Sequence, residues 1–160
     1  MKSNDKILIL DFGSQYTQLI ARRVREIGVF SEVKSSSIST EEIIKMNPSG
    51  IILSGGPETV TISSSQKVHK SLLEAKIPIL GICYGMQTIA NELGGMVVKS
   101  DIREFGHAEI SHVNQSILFD NVSFDLDRLD VWMSHGDKVE VLPKNFEIIA
   151  SSKDLSLIHI

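Results

Sequence analysis

The chain has 160 residues, 42% hydrophobic and 22% charged, with a formal net charge of −4. That length and apolar fraction suit one globular domain with a buried core, and the slight acidity, without a basic stripe or tail, leaves no electrostatic case for nucleic acid or an anionic membrane surface. A single cysteine excludes an internal disulfide framework, no Cys/His group has zinc-ligand spacing, and the apolar run after Met1-Lys2-Ser3-Asn4-Asp5 is too short for a signal-peptide core or a membrane span, so a cytoplasmic protein is expected.

In chain order, Lys6 to Asp11 is a continuous apolar run of the kind buried on both faces of a parallel sheet. Asp11-Phe12-Gly13-Ser14-Gln15 turns into a helix on which Tyr16, Ile20, Val24 and Ile27 share an apolar face, with Gly28 suited to the C′ position. The Asp-Phe-Gly triplet matches a kinase metal-binding motif, but no glycine-rich loop, lysine or catalytic loop precedes it, so the match is discarded. Arg22, Arg23 and Arg25 read most simply as a solvated helix face, with a docking surface for a partner domain as the alternative. Val29 to Val33 reads as a second strand. Ser39 with Glu42 makes a capping box for a short helix that Asn47-Pro48 ends. Gly50 to Leu53 is a third buried strand running into Ser54-Gly55-Gly56-Pro57, where paired glycines allow a backbone N–H to approach a ligand; an ordinary tight turn is the simpler explanation of that sequence taken alone. Lys67 to Ala75 is expected to be a helix.

The stretch Ile77-Pro78-Ile79-Leu80-Gly81-Ile82-Cys83-Tyr84-Gly85-Met86-Gln87 holds the lone cysteine between an apolar strand and a helical pattern of Met86, Ile89, Ala90 and Leu93 that stops at Gly94-Gly95. Gly-x-Cys-x-Gly has the form of a nucleophile elbow, a sharp turn that lifts a strained residue out at the end of a strand. The helix N-terminus beside Cys83 favours thiolate over thiol, and its N–H groups suit an oxyanion forming on a substrate carbonyl. The alternative, a small buried hydrophobe, is what most lone intracellular cysteines are. The alternation of strand and helix to this point predicts an α/β fold with a doubly wound, mostly parallel sheet and its active edge at the strand carboxyl ends.

After Gly95 the pattern changes. Met96–Lys99, Ala108–Val113, Leu129–Met133 and Phe146–Ala150 read as short strands without intervening helices, an antiparallel extension of the sheet. Ser134-His135-Gly136-Asp137 reads as a polar turn placed to line a pocket. His107 and Glu109 have the spacing of a base and its orienting carboxylate, but on an alternating strand they simply share a face. His69 and His112 read as surface residues, and the sequons at Asn114 and Asn121 carry no weight without a secretory signal.

Gly81 to Gln87, with Ser54 to Pro57 upstream, resembles the class I, triad-type glutamine amidotransferases. Leu10 to Glu26, Phe105 to Glu109 and Val131 to Val139 narrow the resemblance to the N-terminal glutaminase domains of the GMP synthase family, over Ile7 to about Lys153. The resemblance implies a flavodoxin-like fold in which Cys83 attacks the glutamine carboxamide and passes through a glutamyl thioester. By the same resemblance the backbone N–H groups of Gly56 and Tyr84 hold the oxyanion, and Gly55, Gln87, Ser134, His135, Gly136 and Asp137 line the glutamine site. No metal or cofactor is implied in this domain. ATP and Mg2+ belong to a synthetase (ATP-pyrophosphatase) domain or subunit, the implied partner, which aminates xanthosine monophosphate to GMP.

One departure bears on activity. The family completes its triad with a His-Pro-Glu motif, and that tripeptide does not occur in these residues. Without that base the domain is expected to be inactive alone. The amidotransferase domain is therefore placed at 1–154 and taken as incomplete, and Leu155-Ser156-Leu157-Ile158-His159-Ile160 has no likeness to the family. These last residues back-translate as CTG TCT CTT ATA CAC ATC, the sequence of a transposase adapter used in preparing sequencing libraries, and are expected to be an artefact. A glutaminase of another class I amidotransferase and a non-catalytic glutamine-binding or regulatory fragment are the alternatives.

Overall fold

The computed structural model describes residues 5–62, 65–112, 114–120, 122, 128–152 and 157–159, and of residues 100–105, 112, 133–135 and 157–159 the backbone alone. The chain divides into two compact units, Met1–Leu93 and Gly94–Ile160. Among the described residues no helix is long and apolar enough to cross a membrane.

The first unit alternates β1 (Lys6–Asp11), α1 (Thr17–Glu26), β2 (Phe30–Ser35), α2 (Thr40–Met46), β3 (Gly50–Leu53), α3 (Lys70–Leu73), β4 (Ile79–Gly81) and α4 (Tyr84–Glu92). All of its strand pairs are parallel, in the order β2-β1-β3-β4. Leu8, Ile9, Leu10, Ile51 and Leu53 are buried, as continuous apolar runs in a sheet covered on both faces require. The active edge predicted from the alternation lies where β1, β3 and β4 end.

Local chemistry sets the helix ends. Ser39 and Glu42 form the expected capping box, and Asn47 closes α2 in the left-handed region at φ 46°. Gly28, at φ +81°, donates to the Arg25 carbonyl while Val29 donates to that of Val24, a Schellman ending. Two expectations for the helices hold only in part. The buried residues of α1 are Thr17 and Ala21, with Ile20 and Val24 half-buried beside them, while Tyr16 and Ile27, expected on the same face, are exposed. The helix is docked by polar contacts: Thr17 Oγ1 donates to Asp11 Oδ1 (2.7 Å) and Ser31 Oγ to the Ala21 carbonyl (2.9 Å), and small side chains permit that approach. The helix expected over Lys67 to Ala75 shrinks to Lys70–Leu73 because the Val68 N–H is taken by Thr88 Oγ1 (3.1 Å) and the Gln66 carbonyl by the Tyr84 hydroxyl, which hold the preceding residues in other conformations.

The second unit is antiparallel, with β5 (Met96–His112), β6 (Arg128–Val141), β7 (Ile148–Ser152) and β8 (Leu157–His159) in the order β6-β5-β7-β8. The antiparallel strands expected after Gly95 are present within β5, β6 and β7, which with β8 form a second four-stranded sheet. Two of the expected short strands fuse into the 17-residue β5, and a single-turn 3-10 helix, Ile117–Phe119, precedes β6. Ser134 to Asp137, expected as a turn, lies inside β6, with Ser134 opposite Phe105, His135 opposite Glu104 and Asp137 opposite Lys99. The ladder absorbs the mismatch on β5, where the register shifts between Lys99 and Glu104. Val97, Ile110, Val139, Ile149 and Ala150 are buried in this unit. Of the terminal residues expected to be foreign, Leu155, Ser156 and Ile160 lie outside the described residues, as do Val113, Asn121 and Lys153, while Leu157–His159 pair with β7.

Candidate active site

β4 stops at Gly81 and α4 starts at Tyr84, so Ile82 and Cys83 alone turn the chain. Cys83 takes φ 49° and ψ −111°, a region that L-residues rarely adopt. The surroundings over-determine that strain. Ile82 N–H donates to the Leu53 carbonyl (2.9 Å), Gly85 N–H to the carbonyls of Ser54 (3.1 Å) and Ile82 (3.0 Å), and Gln87 N–H to that of Cys83 (3.1 Å). The flanking glycines are required by crowding. A Cβ on Gly81 would lie 2.6 Å from the Met86 nitrogen, and one on Gly85 would collide with the Leu53 carbonyl and lie 2.7 Å from the Leu53 Cβ. The strand, turn and helix at Cys83 thus have the geometry that the glycine spacing predicts.

Ser54-Gly55-Gly56-Pro57 leaves the end of β3 beside this turn. A Cβ on Gly55 would stand 3.5 Å from Cys83 Cβ and 3.6 Å from Ser14 Oγ, while one on Gly56 would meet the Phe12 carbonyl at 2.5 Å. Tyr84, whose N–H is the first of α4 and has no carbonyl one turn earlier in the helix to accept it, is buried, with its ring 5.5 Å from that of Phe12. Gln87 is also buried, one turn along α4. The structure therefore brings Cys83, Gly55, Gly56, Tyr84 and Gln87 together at one end of the parallel sheet.

Burial pushes the Cys83 thiol up from its ordinary value of 9.0, and among the described residues no cationic side chain opposes that penalty. Burial thus favours the thiol over the thiolate at this sulfur.

Sequence reading missed several polar residues that build this end of the sheet. Ser54 is fully buried, and Asp11 Oδ1 accepts from both the Gly13 N–H (2.9 Å) and Thr17 Oγ1, fixing the turn after β1. The available signal was a small polar residue closing an apolar strand run, Asp11 at the end of β1 and Ser54 just after β3.

Ser134, His135, Gly136 and Asp137 lie on β6 in the second unit, and the side chains of Ser134 and His135 are outside the described residues. His107 Nε2 lies 3.0 Å from Asp130 Oδ1, and Arg128 Nη1 lies 3.1 Å from Glu109 Oε1, so the residues with base-and-carboxylate spacing each face a cross-strand partner. Among the described residues no three His, Cys, Asp or Glu side chains group as metal ligands.

Residues 8–160 match the family model described as glutamine amidotransferase class-I. The chain is 52% identical over 154 residues to the GMP synthase [glutamine-hydrolyzing] of Teredinibacter turnerae, covering 93% of this chain and 29% of that protein. It is 57% identical over 147 residues to the protein of the same name from Histophilus somni (strain 2336), covering 89% and 28%. The chain thus spans somewhat under a third of the length of these curated relatives. A crystal structure described as that of a GMP synthase subunit from Thermoplasma acidophilum superposes with a TM-score of 0.79 at 29% identity, over 97% of this chain and 78% of that one. A glutamine amidotransferase from Thermotoga maritima shares the fold, with a TM-score of 0.71 at 21% identity over 98% and 71%. With a match that runs from the first strand to the last residue and holds the strained cysteine turn within it, the chain belongs to the class I glutamine amidotransferase family.

Proposed function

We propose that this chain is the glutamine-hydrolysing domain of a GMP synthase, with Cys83 as its nucleophile. The observation that carries the reading is the strained Cys83, raised at a strand–helix junction with a glycine turn packed against it, in a chain whose relatives at 52% and 57% identity are glutamine-hydrolysing GMP synthases. In the proposed reaction the Cys83 sulfur bonds to the glutamine carboxamide carbon, the C–N bond breaks and ammonia leaves carrying a proton. Water then splits the thioester to glutamate and restores the thiol. The N–H groups of Gly56 and Tyr84 hold the oxyanion, and Gly55 and Gln87 contact glutamine. The ammonia is delivered to a synthetase partner that uses ATP and Mg2+ to convert XMP to GMP.

A thiol pushed up by burial needs a base, and no His-Pro-Glu tripeptide lies within these residues. The chain by itself is therefore expected to turn glutamine over several orders of magnitude more slowly than a complete triad does. That same feature favours a second reading, a domain that binds glutamine without hydrolysing it. Acid quenching after incubation with radiolabelled glutamine separates the two. The enzyme reading predicts label on Cys83 as a thioester and slow ammonia release. The binding reading predicts that glutamine shields Cys83 from iodoacetamide with no label retained, and the absence of both label and shielding contradicts both.

A further inference from the structure

The Ser54 side chain is fully buried and makes two hydrogen bonds. Its Oγ accepts from the Phe12 N–H (3.0 Å) and lies 2.8 Å from the Gly55 carbonyl. An N–H cannot accept, so a lone pair of the hydroxyl serves Phe12 and its single proton goes to Gly55. The backbone of the same residue is pinned as well: its N–H donates to the Leu10 carbonyl (3.0 Å), and its carbonyl accepts from the Gly85 N–H (3.1 Å). Ser54 thus ties the end of β1, the glycine turn and the first turn of α4 to one another.

The Gly55 carbonyl and the Gly56 N–H belong to one peptide unit. In a trans peptide they point in opposite directions, and among the described residues no peptide bond is cis. A hydroxyl that holds the carbonyl inward consequently turns the Gly56 N–H outward, on a turn whose neighbouring Gly55 faces Cys83 Cβ. Glycine at 55 and 56 leaves this peptide free to rotate, so an external constraint is needed to choose its orientation. We infer that Ser54 is a positioning residue: its hydroxyl fixes the Gly55–Gly56 peptide so that the Gly56 N–H is aimed at an oxyanion forming beside Cys83. Through its carbonyl Ser54 also anchors Gly85, next to Tyr84, and so sets both donors of the oxyanion site in one frame. The inference rests on the proposed role of Cys83.

The test uses this chain and a chloromethyl ketone analogue of glutamine, with CH2Cl in place of the amide nitrogen. Sulfur adds to its carbonyl, giving an oxyanion, and the thiol proton goes to solvent; the S–CH2 bond then forms as chloride leaves, and the first carbon–sulfur bond breaks as the oxyanion collapses to restore the carbonyl. Iodoacetamide, which reacts by displacement of iodide without an oxyanion, is the control. Ser54→Ala is expected to slow the ketone roughly tenfold to a hundredfold while the iodoacetamide rate and the glutamine concentration that protects Cys83 stay within about twofold. Equal ketone rates in the two proteins, or equal slowing of both reagents, would overturn the inference. Failure of the parent chain to react with the ketone at all would instead remove the nucleophile reading, and the inference with it. Should Ser54→Ala not fold, hydrogen exchange in the unmutated, 15N-glycine-labelled chain decides: the Gly56 amide exchanges freely and slows in the Cys83 adduct if the peptide is aimed outward, whereas an amide already protected in the free chain contradicts it.

Discussion

The turn at Cys83 and the ribbon of β5 and β6 hold residues of equal chemical interest, and they are fixed in different ways. At Cys83 the backbone is crowded from both sides, so that Gly81 and Gly85 have no substitute and the cysteine is left in a strained conformation. On the ribbon, a Cβ added to Gly136 would meet nothing within 4 Å, and register comes from cross-strand pairs such as Ala108 with Val131 and Ile110 with Leu129. Specific backbone contacts make the first region intolerant of change. The second distributes its constraint along a ladder and tolerates change at any one position.

Replacing the nucleophile gives the largest expected effect. Cys83→Ala should abolish thioester formation from glutamine outright while leaving the fold intact, as read by circular dichroism. Next comes the glycine contrast. Gly85→Ala should destabilise by about 3 kcal/mol in urea unfolding because the new methyl meets the Leu53 carbonyl and Cβ, neither of which can swing aside, whereas Gly136→Ala should lie within about 0.5 kcal/mol of the parent. Equal losses at the two glycines would break the comparison. Ser39→Ala, which removes the half of the α2 capping box in which Ser39 Oγ accepts from the Glu42 N–H, should cost about 1 kcal/mol, an effect confined to a local helix end.

The difference also explains what could be read from the sequence. The elbow was legible because each of its demands is met within a few adjacent residues: an apolar strand, Gly81, Cys83, Gly85 and a helical repeat. The capping box of Ser39 and Glu42 and the C′ glycine at 28 were legible for the same reason. Ser134 to Asp137 reads as a turn because its polar residues and glycine are turn formers, yet pairing with residues 99 to 105 overrides that local preference. The α1 face was legible only at Ile20 and Val24, because its centre docks through a hydrogen bond from Thr17 to Asp11, a contact that hydrophobic periodicity does not register. Ser54 was invisible as a hub, since its partners at Leu10, Phe12 and Gly85 are distant in sequence.

The smallest effect is a pH dependence. Burial raises the Cys83 thiol above its ordinary value of 9.0, so the folded chain holds that proton more tightly than the unfolded chain does. The associated stability is fully present below the ordinary value and is lost as pH rises through the folded one. Iodoacetamide alkylation of Cys83 should accordingly keep rising by about tenfold per pH unit past pH 9. Above that pH the parent should lose stability relative to Cys83→Ala. A rate that levels off near neutral pH would show instead that the helix terminus prevails over burial.

The most direct test of the nucleophile is to expose the chain to the chloromethyl ketone analogue of glutamine at pH 9 and locate the adduct by peptide mass spectrometry, with and without excess glutamine. The account predicts a single adduct on Cys83 whose formation glutamine suppresses and glutamate suppresses less. An adduct on another residue, or labelling of Cys83 that glutamine leaves unchanged, would contradict it.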